Sequence, residues 1–195
     1  KIMQQDFYIF RHGQTDYNLE HRWQGCGIDA PLNETGRSQA LALVPKLAEK
    51  KLQIIYSSCL RRAAETADIV ARQLNLSRAF CSDLREICLG NAEGLRADEV
   101  EARDPEFFRC WMSPDPQYAA LAFPGGESKL EVRRRMLKAL EQIADNAPQF
   151  NCFGIASHED SILQLLENFG ISLPHIANTS LYHLVRRDGR WELGD

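Results

Sequence analysis

Three short apolar runs constrain the fold of this chain more than any other feature. Phe7-Tyr8-Ile9-Phe10, Ile54-Ile55-Tyr56 after Gln53, and Cys152-Phe153-Gly154-Ile155-Ala156 contain no charge, as strands buried on both faces require. Each stops at polar or charged residues: Arg11-His12-Gly13, Ser57-Ser58 and Ser157-His158. Helical patterns fill the intervals. Residues 33–51 read as a helix capped by Asn33, with Pro45 inside it, where a proline should kink or break it. Residues 61–74 place Ala64, Ala67 and Val70 or Ala71 at helical spacing. Residues 128–145 read as a long basic helix, and residues 161–169 as another, closed by Gly170. A third short strand is expected at 79–81. Residues 181–185 and 190–193 flank Asp188-Gly189, a strong hairpin signal. Strands alternating with helices imply an α/β chain with a mainly parallel sheet and an antiparallel edge.

Residues 97–124 depart from this pattern. They are charged, then aromatic, then rich in proline (Pro105, Pro114, Pro116, Pro124), which suggests a helical cap over about residues 91–127. The 195 residues fit a single domain, 1–195, large enough to bury a core. With 23 basic and 27 acidic residues the net charge is −4, so the chain lacks the basic footprint that nucleic-acid binding needs. No apolar run reaches membrane-spanning length. The leading Lys1-Ile2-Met3-Gln4-Gln5-Asp6 has no apolar secretory region. Cys26, Cys59, Cys81, Cys88, Cys110 and Cys152 include no C-x-x-C pair and no zinc-ligand spacing. They read as reduced thiols, which points to a cytoplasmic protein.

Ligands of open α/β sheets bind beyond the carboxyl ends of the strands. If the three buried strands are parallel neighbours, two histidines and at least two arginines converge there. Guanidinium forks match phosphate oxygens. An imidazole becomes a nucleophile when its other nitrogen is held by an acceptor. Together these make a phosphate site with a nucleophile inside it.

Arg11-His12-Gly13-Gln14-Thr15-Asp16-Tyr17-Asn18 closely resembles the signature of the histidine phosphatase superfamily, in its phosphoglycerate mutase-like branch. Further segments resemble the same family in the same order: Gln24-Gly25 with Asp29-Ala30-Pro31-Leu32-Asn33; Ser58-Cys59-Leu60-Arg61-Arg62; Leu84-Arg85-Glu86-Ile87 with Gly90 and Glu93-Gly94; and Phe123-Pro124-Gly125-Gly126-Glu127-Ser128. The likeness spans roughly residues 7 to 195, and five ordered motifs are far more specific than one. It implies a three-layer α/β/α sandwich with a small helical cap. It also implies His12 as the nucleophile that becomes phosphohistidine, and Arg11, Asn18, Arg62 and His158 as the phosphate pocket, with Gln24 and Gly25 on the substrate-binding loop. Glu86 would be the general acid and then the base, favoured over Asp83 and Glu93 by its spacing to Gly90 and Gly94. No metal or other cofactor is implied, because cationic side chains can neutralise the transferring phosphoryl group.

One position departs from the family. A glycine usually follows the second histidine, and here it is Glu159. Ser157-x-x-Asp160 resembles a capping box, and acidic residues suit a helix N-terminus. Glu159 is therefore expected to face solvent and leave activity intact. Arg61 and the run Arg133-Arg134-Arg135 read as solvated helix faces. His21, His175 and His183 have no comparable context. Trp23, Phe107, Phe108 and Trp111 either line the substrate entrance or only pack the cap.

The resemblance implies a metal-independent phosphomonoesterase acting on small phosphorylated metabolites, as a monomer or homodimer. A cofactor-dependent phosphoglycerate mutase is the alternative enzyme, although mutases of the family usually carry a longer insertion between the glutamate and second-histidine motifs. Specialised α-ribazole or fructose-2,6-bisphosphate phosphatases stay open. A non-catalytic phospho-ligand-binding relative is the alternative outside catalysis.

Overall fold

The computed structural model describes residues 4–195; Lys1 to Met3, half of the leading segment considered above, lie outside them. Six strands form one sheet: β1 (Gln4–Arg11), β2 (Ile54–Ser57), β3 (Ser77–Phe80), β4 (Cys152–Ser157), β5 (Leu181–Arg187) and β6 (Arg190–Leu193). Their order is β3-β2-β4-β1-β5-β6. The first four in that order run parallel, and β5 and β6 join them as an antiparallel hairpin. Asp188 (φ 47°) and Gly189 (φ 79°) turn that hairpin in the left-handed region, as a two-residue primed turn requires.

The apolar runs are continuous because both sheet faces are covered. Phe7 and Ile9 of β1, with Phe153 and Ile155 of β4, pack against α6 (Lys129–Asn146) and α7 (Glu159–Glu167) through Met136, Leu140, Ile162 and Leu165. The alternate residues, Phe10 and Ala156, pack against α2 (Glu34–Ala48) and α3 (Arg61–Leu74) through Leu43, Leu47, Ala67 and Val70. The period-2 pleat thus sends successive side chains into two separate cores, and three layers result. A single turn, α1 (Asp16–Leu19), follows β1, and α4 (Ala97–Arg103) and α5 (Pro105–Met112) occupy the excursion after Glu86. No helix among the described residues is long and apolar enough to cross a membrane.

Several expectations need correction. Helix α2 runs through Pro45 to Ala48 without a break. The proline lies on the exposed face, one turn from the helix end, where a missing backbone donor disturbs little. Strand β3 begins at Ser77, two residues early, and pairs only with β2 as an edge strand. Arg135 is not a solvated face residue. It donates to Glu127 and to the carbonyls of Asp83 and Arg85, fastening α6 to the loop that carries Glu86. Arg133 pairs with Gln164 and Glu167, and Arg134 alone of the run is exposed.

The six thiols are not all free. Cys26 and Cys88 form a disulfide across 62 residues of sequence, with Cα atoms 4.6 Å apart. Glu93 explains the approach, because its Oε1 accepts from the backbone N–H of Cys26 (3.2 Å) and of Leu89 (3.0 Å). For these two cysteines the expectation of reduced thiols does not hold; Cys59, Cys81, Cys110 and Cys152 are free. Closing a loop of this size removes unfolded-chain entropy equivalent to about 4 kcal/mol. Reduction is accordingly expected to lower the melting temperature by roughly 8–16 °C. Cys26→Ser should melt with the reduced protein, and coincident melting of oxidised and reduced protein would show that the bond contributes nothing.

Candidate active site

Strand geometry brings the two histidines together. β1 and β4 pair in parallel with Arg11 opposite Ser157, and the His12 N–H donates to the Ser157 carbonyl at 3.1 Å. His12 and His158 are therefore the first residues past two neighbouring strand ends. Their ring centroids lie 5.1 Å apart. The neighbouring β2 runs the same way, and its exit leads into α3, whose second residue is Arg62. The loop after the short 3₁₀ turn at Ser82–Leu84 delivers Glu86, held close because Ser157 Oγ donates to the Leu84 carbonyl at 2.8 Å.

Arg11, His12, Asn18, Gln24, Gly25, Arg62 and Glu86 line one cavity of about 630 Å³. His158 is buried beside it, and neither ring nitrogen has a hydrogen-bond partner among the described residues. The expected site residues thus come together in space.

His12 is 2% exposed. Its Nδ1 lies 2.6 Å from the Gly13 carbonyl, which can only accept, so Nδ1 carries the proton and Nε2 keeps its lone pair. Burial, then the charges of Arg62 and Arg11, hold its pKa well below the usual imidazole value. His158 is held down in the same way, first by burial and then by Arg62. Both rings are neutral at neutral pH.

Arg62 is 1% exposed and donates to the carbonyls of Gly25 (2.7 Å) and Ile28 (2.8 Å). Gly25 can present that carbonyl because it adopts φ 58°, and a Cβ there would collide with Glu93. Burial lowers the Arg62 pKa to about 10, so it remains cationic. The Nε atoms of Arg62 and Arg11 are buried and unpartnered among the described residues. Unsatisfied buried donors beside a cavity are the groups a bound anion would satisfy.

Glu86 accepts from the N–H groups of Ile87 (2.9 Å), Ser161 (3.0 Å) and Asp160 (3.3 Å). Burial nevertheless pushes its pKa up, with Arg62 and the Ile87 and Ser161 N–H groups opposing. Asp83 pairs with Arg85, and Glu93 ties loop backbone, so neither rival carboxylate lines the cavity. Asn18 caps α1 with Thr15, and Gln24 accepts from Thr15 Oγ1 at 3.0 Å, so both also stabilise the loop that they present.

Glu159 does not face solvent. Its Oε2 pairs with Arg11 Nη2 at 3.0 Å, and its Oε1 accepts from the Ile176 N–H at 3.0 Å and contacts His175 Nδ1. The capping box is absent too: His158 is the N-cap of α7, and Ser157 Oγ is engaged with Leu84. The cation in the pocket outcompetes solvent for the glutamate. Sequence reasoning also missed Asn178, which donates to the His12 carbonyl at 3.0 Å, and the lining residues His21, Arg22, His175 and Asp160. Three of these five flank a recognised motif in sequence, but the 171–180 loop has no periodicity to reveal its position. Trp23 and Trp111 line the cavity, whereas Phe107 and Phe108 pack within the excursion against Phe123 and Trp23.

The arrangement is a neutral histidine with a free lone pair, two buried guanidiniums, an unpartnered imidazole and a protonatable carboxyl around one cavity. Known proteins resemble this chain in sequence and fold. It is 33% identical over 163 residues to a glucosyl-3-phosphoglycerate phosphatase of Mycobacterium tuberculosis, covering 84% of this chain and 70% of that one. It is 35% identical over 147 residues to a metal-independent phosphoserine phosphatase of Arabidopsis thaliana, covering 71% and 58%. The structure of a mycobacterial glucosyl-3-phosphoglycerate phosphatase complexed with VO3 superposes with a TM-score of 0.84 at 27% identity, over 97% of each chain. The model of the histidine phosphatase superfamily (branch 1) matches residues 7–195, and with the paired strand-end histidines in place the chain belongs to that family.

Proposed function

We propose that this chain is a phosphomonoesterase that hydrolyses small phosphorylated metabolites through a phosphohistidine on His12, in a single domain capped by about residues 91–127. The observation that carries this reading is the His12 imidazole, neutral and fixed in one tautomer, beside two buried arginines with unpartnered Nε groups. Arg11, Arg62, His158 and Asn18 bind the non-bridging oxygens. The His12 Nε2 lone pair attacks phosphorus, the ester P–O bond breaks, and Glu86 gives its proton to the leaving oxygen. Water then attacks the phosphohistidine, Glu86 takes a proton from that water, the N–P bond breaks, and inorganic phosphate leaves. Neutralisation of the spread charge comes from side chains. The cavity exceeds a phosphate group and leaves room for a small leaving group. The names of the relatives support hydrolysis of small phosphate esters.

Steady-state release of phosphate from p-nitrophenyl phosphate in excess EDTA tests the reading, together with acid-labile, base-stable labelling of the protein during turnover. Turnover with such labelling is expected. Primer-dependent interconversion of phosphoglycerates would identify a mutase instead, and tight phosphate binding without turnover a binding protein.

A further inference from the structure

Glu159 occupies the arginine fork that the phosphate needs. Arg11 Nη1 donates to the Ile176 carbonyl, Arg11 Nη2 pairs with Glu159, and Glu159 returns to the Ile176 N–H, so a closed ring of contacts fixes the carboxylate at the cavity wall. The charge of the cradle follows. His12 and His158 are neutral. Arg11 and Arg62 contribute two positive charges, and Glu159 cancels one.

Given the phosphatase reading, on which this rests, we propose that Glu159 sets the substrate class: it takes up one arginine charge of the cradle and thereby selects phosphomonoesters with a neutral or ammonium-bearing leaving group over those bearing a carboxylate. A phosphate dianion entering this cavity meets one net positive charge where Arg11 and Arg62 alone would offer two. A carboxylate on the leaving group adds a third negative charge without a partner, and an ammonium group supplies the missing positive one. The remaining charged lining does not restore the balance. Arg22 is already paired with Glu20 and Glu99, each at 3.2 Å, and His175 faces Glu159. Burial and neighbouring carboxylates push Asp160 up to about 8, so it favours the protonated form at neutral pH, and the Glu86 oxygens are turned to the backbone N–H groups of Ile87, Asp160 and Ser161 rather than to an arginine of the cradle. Glu159 is left as the wall carboxylate that pairs with a cradle arginine.

Three esters of similar size test the inference: 2-aminoethyl phosphate, 2-hydroxyethyl phosphate and phosphoglycolate. In the natural protein kcat/KM for phosphoglycolate is expected to be at least about tenfold below that for 2-hydroxyethyl phosphate, with 2-aminoethyl phosphate at or above it. Glu159→Gln keeps the shape and removes the charge. It should bring phosphoglycolate within about threefold of 2-hydroxyethyl phosphate and tighten inorganic phosphate binding about tenfold by titration calorimetry. Glu159→Gly serves as a second variant with the same expectation. A glutamate that only pinned the 171–180 loop would alter melting but not the charge ranking. Equal rates on all three esters in the natural protein, or an unchanged ranking and phosphate affinity in a folded variant, would overturn the inference and leave the phosphatase reading intact. No turnover of any ester, p-nitrophenyl phosphate included, would overturn the phosphatase reading and the substrate class with it.

Discussion

His12→Ala is expected to lower kcat for p-nitrophenyl phosphate by about 10⁴-fold or more and to abolish phosphoprotein labelling. The size of the effect follows from what alanine leaves behind. Arg11, Arg62 and His158 would still bind phosphate, and the variant should retain inorganic phosphate affinity within about tenfold. Among the described residues, no other group in the cavity offers a lone pair in the same position with a fixed tautomer. His158 is equally neutral, but it is completely buried and neither of its nitrogens is held by an acceptor among the described residues. Binding and charge neutralisation therefore survive, whereas the covalent route is lost. The two measurements separate nucleophile from structure. Loss of phosphate binding together with turnover would mean that the ring only supports the fold, and turnover within tenfold of the natural protein would remove His12 from the chemistry.

The parts of the site that could be read in the sequence are those fixed by strand ends. Arg11, His12, Ser157 and His158 are the residues at which apolar runs give way to polar ones, and parallel pairing of β1 with β4 puts both exits on one edge. Arg62 and Glu86 were legible through family motifs, since nothing in local periodicity marks either. Contacts between distant loops were not legible. Cys26 and Cys88 approach because Glu93 grips backbone on both sides, a three-body arrangement that spacing does not encode. Glu159 was misread because its own helix supplies a sufficient reason for an acid there. Its actual partners, Arg11 and the Ile176 backbone, come from other elements. Arg135 was misread for a similar reason: helical periodicity places it beside exposed neighbours, and only the packed Glu86 loop reveals its four acceptors.

Glu86→Gln should separate substrates by the quality of their leaving group. An alkyl phosphate expels a strongly basic alkoxide and needs the proton, so its kcat is expected to fall by about 10²–10⁴-fold. The p-nitrophenolate ion leaves well unprotonated, so phosphorylation of His12 by that ester should slow much less. The pH profile supplies the sign. Glu86 must begin protonated, and its pKa lies above the ordinary 4.5 because it is buried; activity on alkyl esters is therefore lost as pH rises through that raised value. His12 must begin neutral, and its pKa lies well below 6.5; activity persists as pH falls past 6.5 and is lost only further down. The window for alkyl phosphates should accordingly open below 6.5 and close as pH rises through the raised Glu86 value. Asp160, pushed up to about 8, lies against the same carboxyl, so the alkaline limb belongs to the pair rather than to Glu86 alone. In the glutamine variant the residual activity should lose the Glu86 contribution to that limb while the acid limb stays in place. An alkaline limb of unchanged position and depth, or equal losses in the rate of His12 phosphorylation by alkyl and nitrophenyl esters, would take the proton-transfer role away from Glu86 and leave it as a backbone anchor for the first turn of α7.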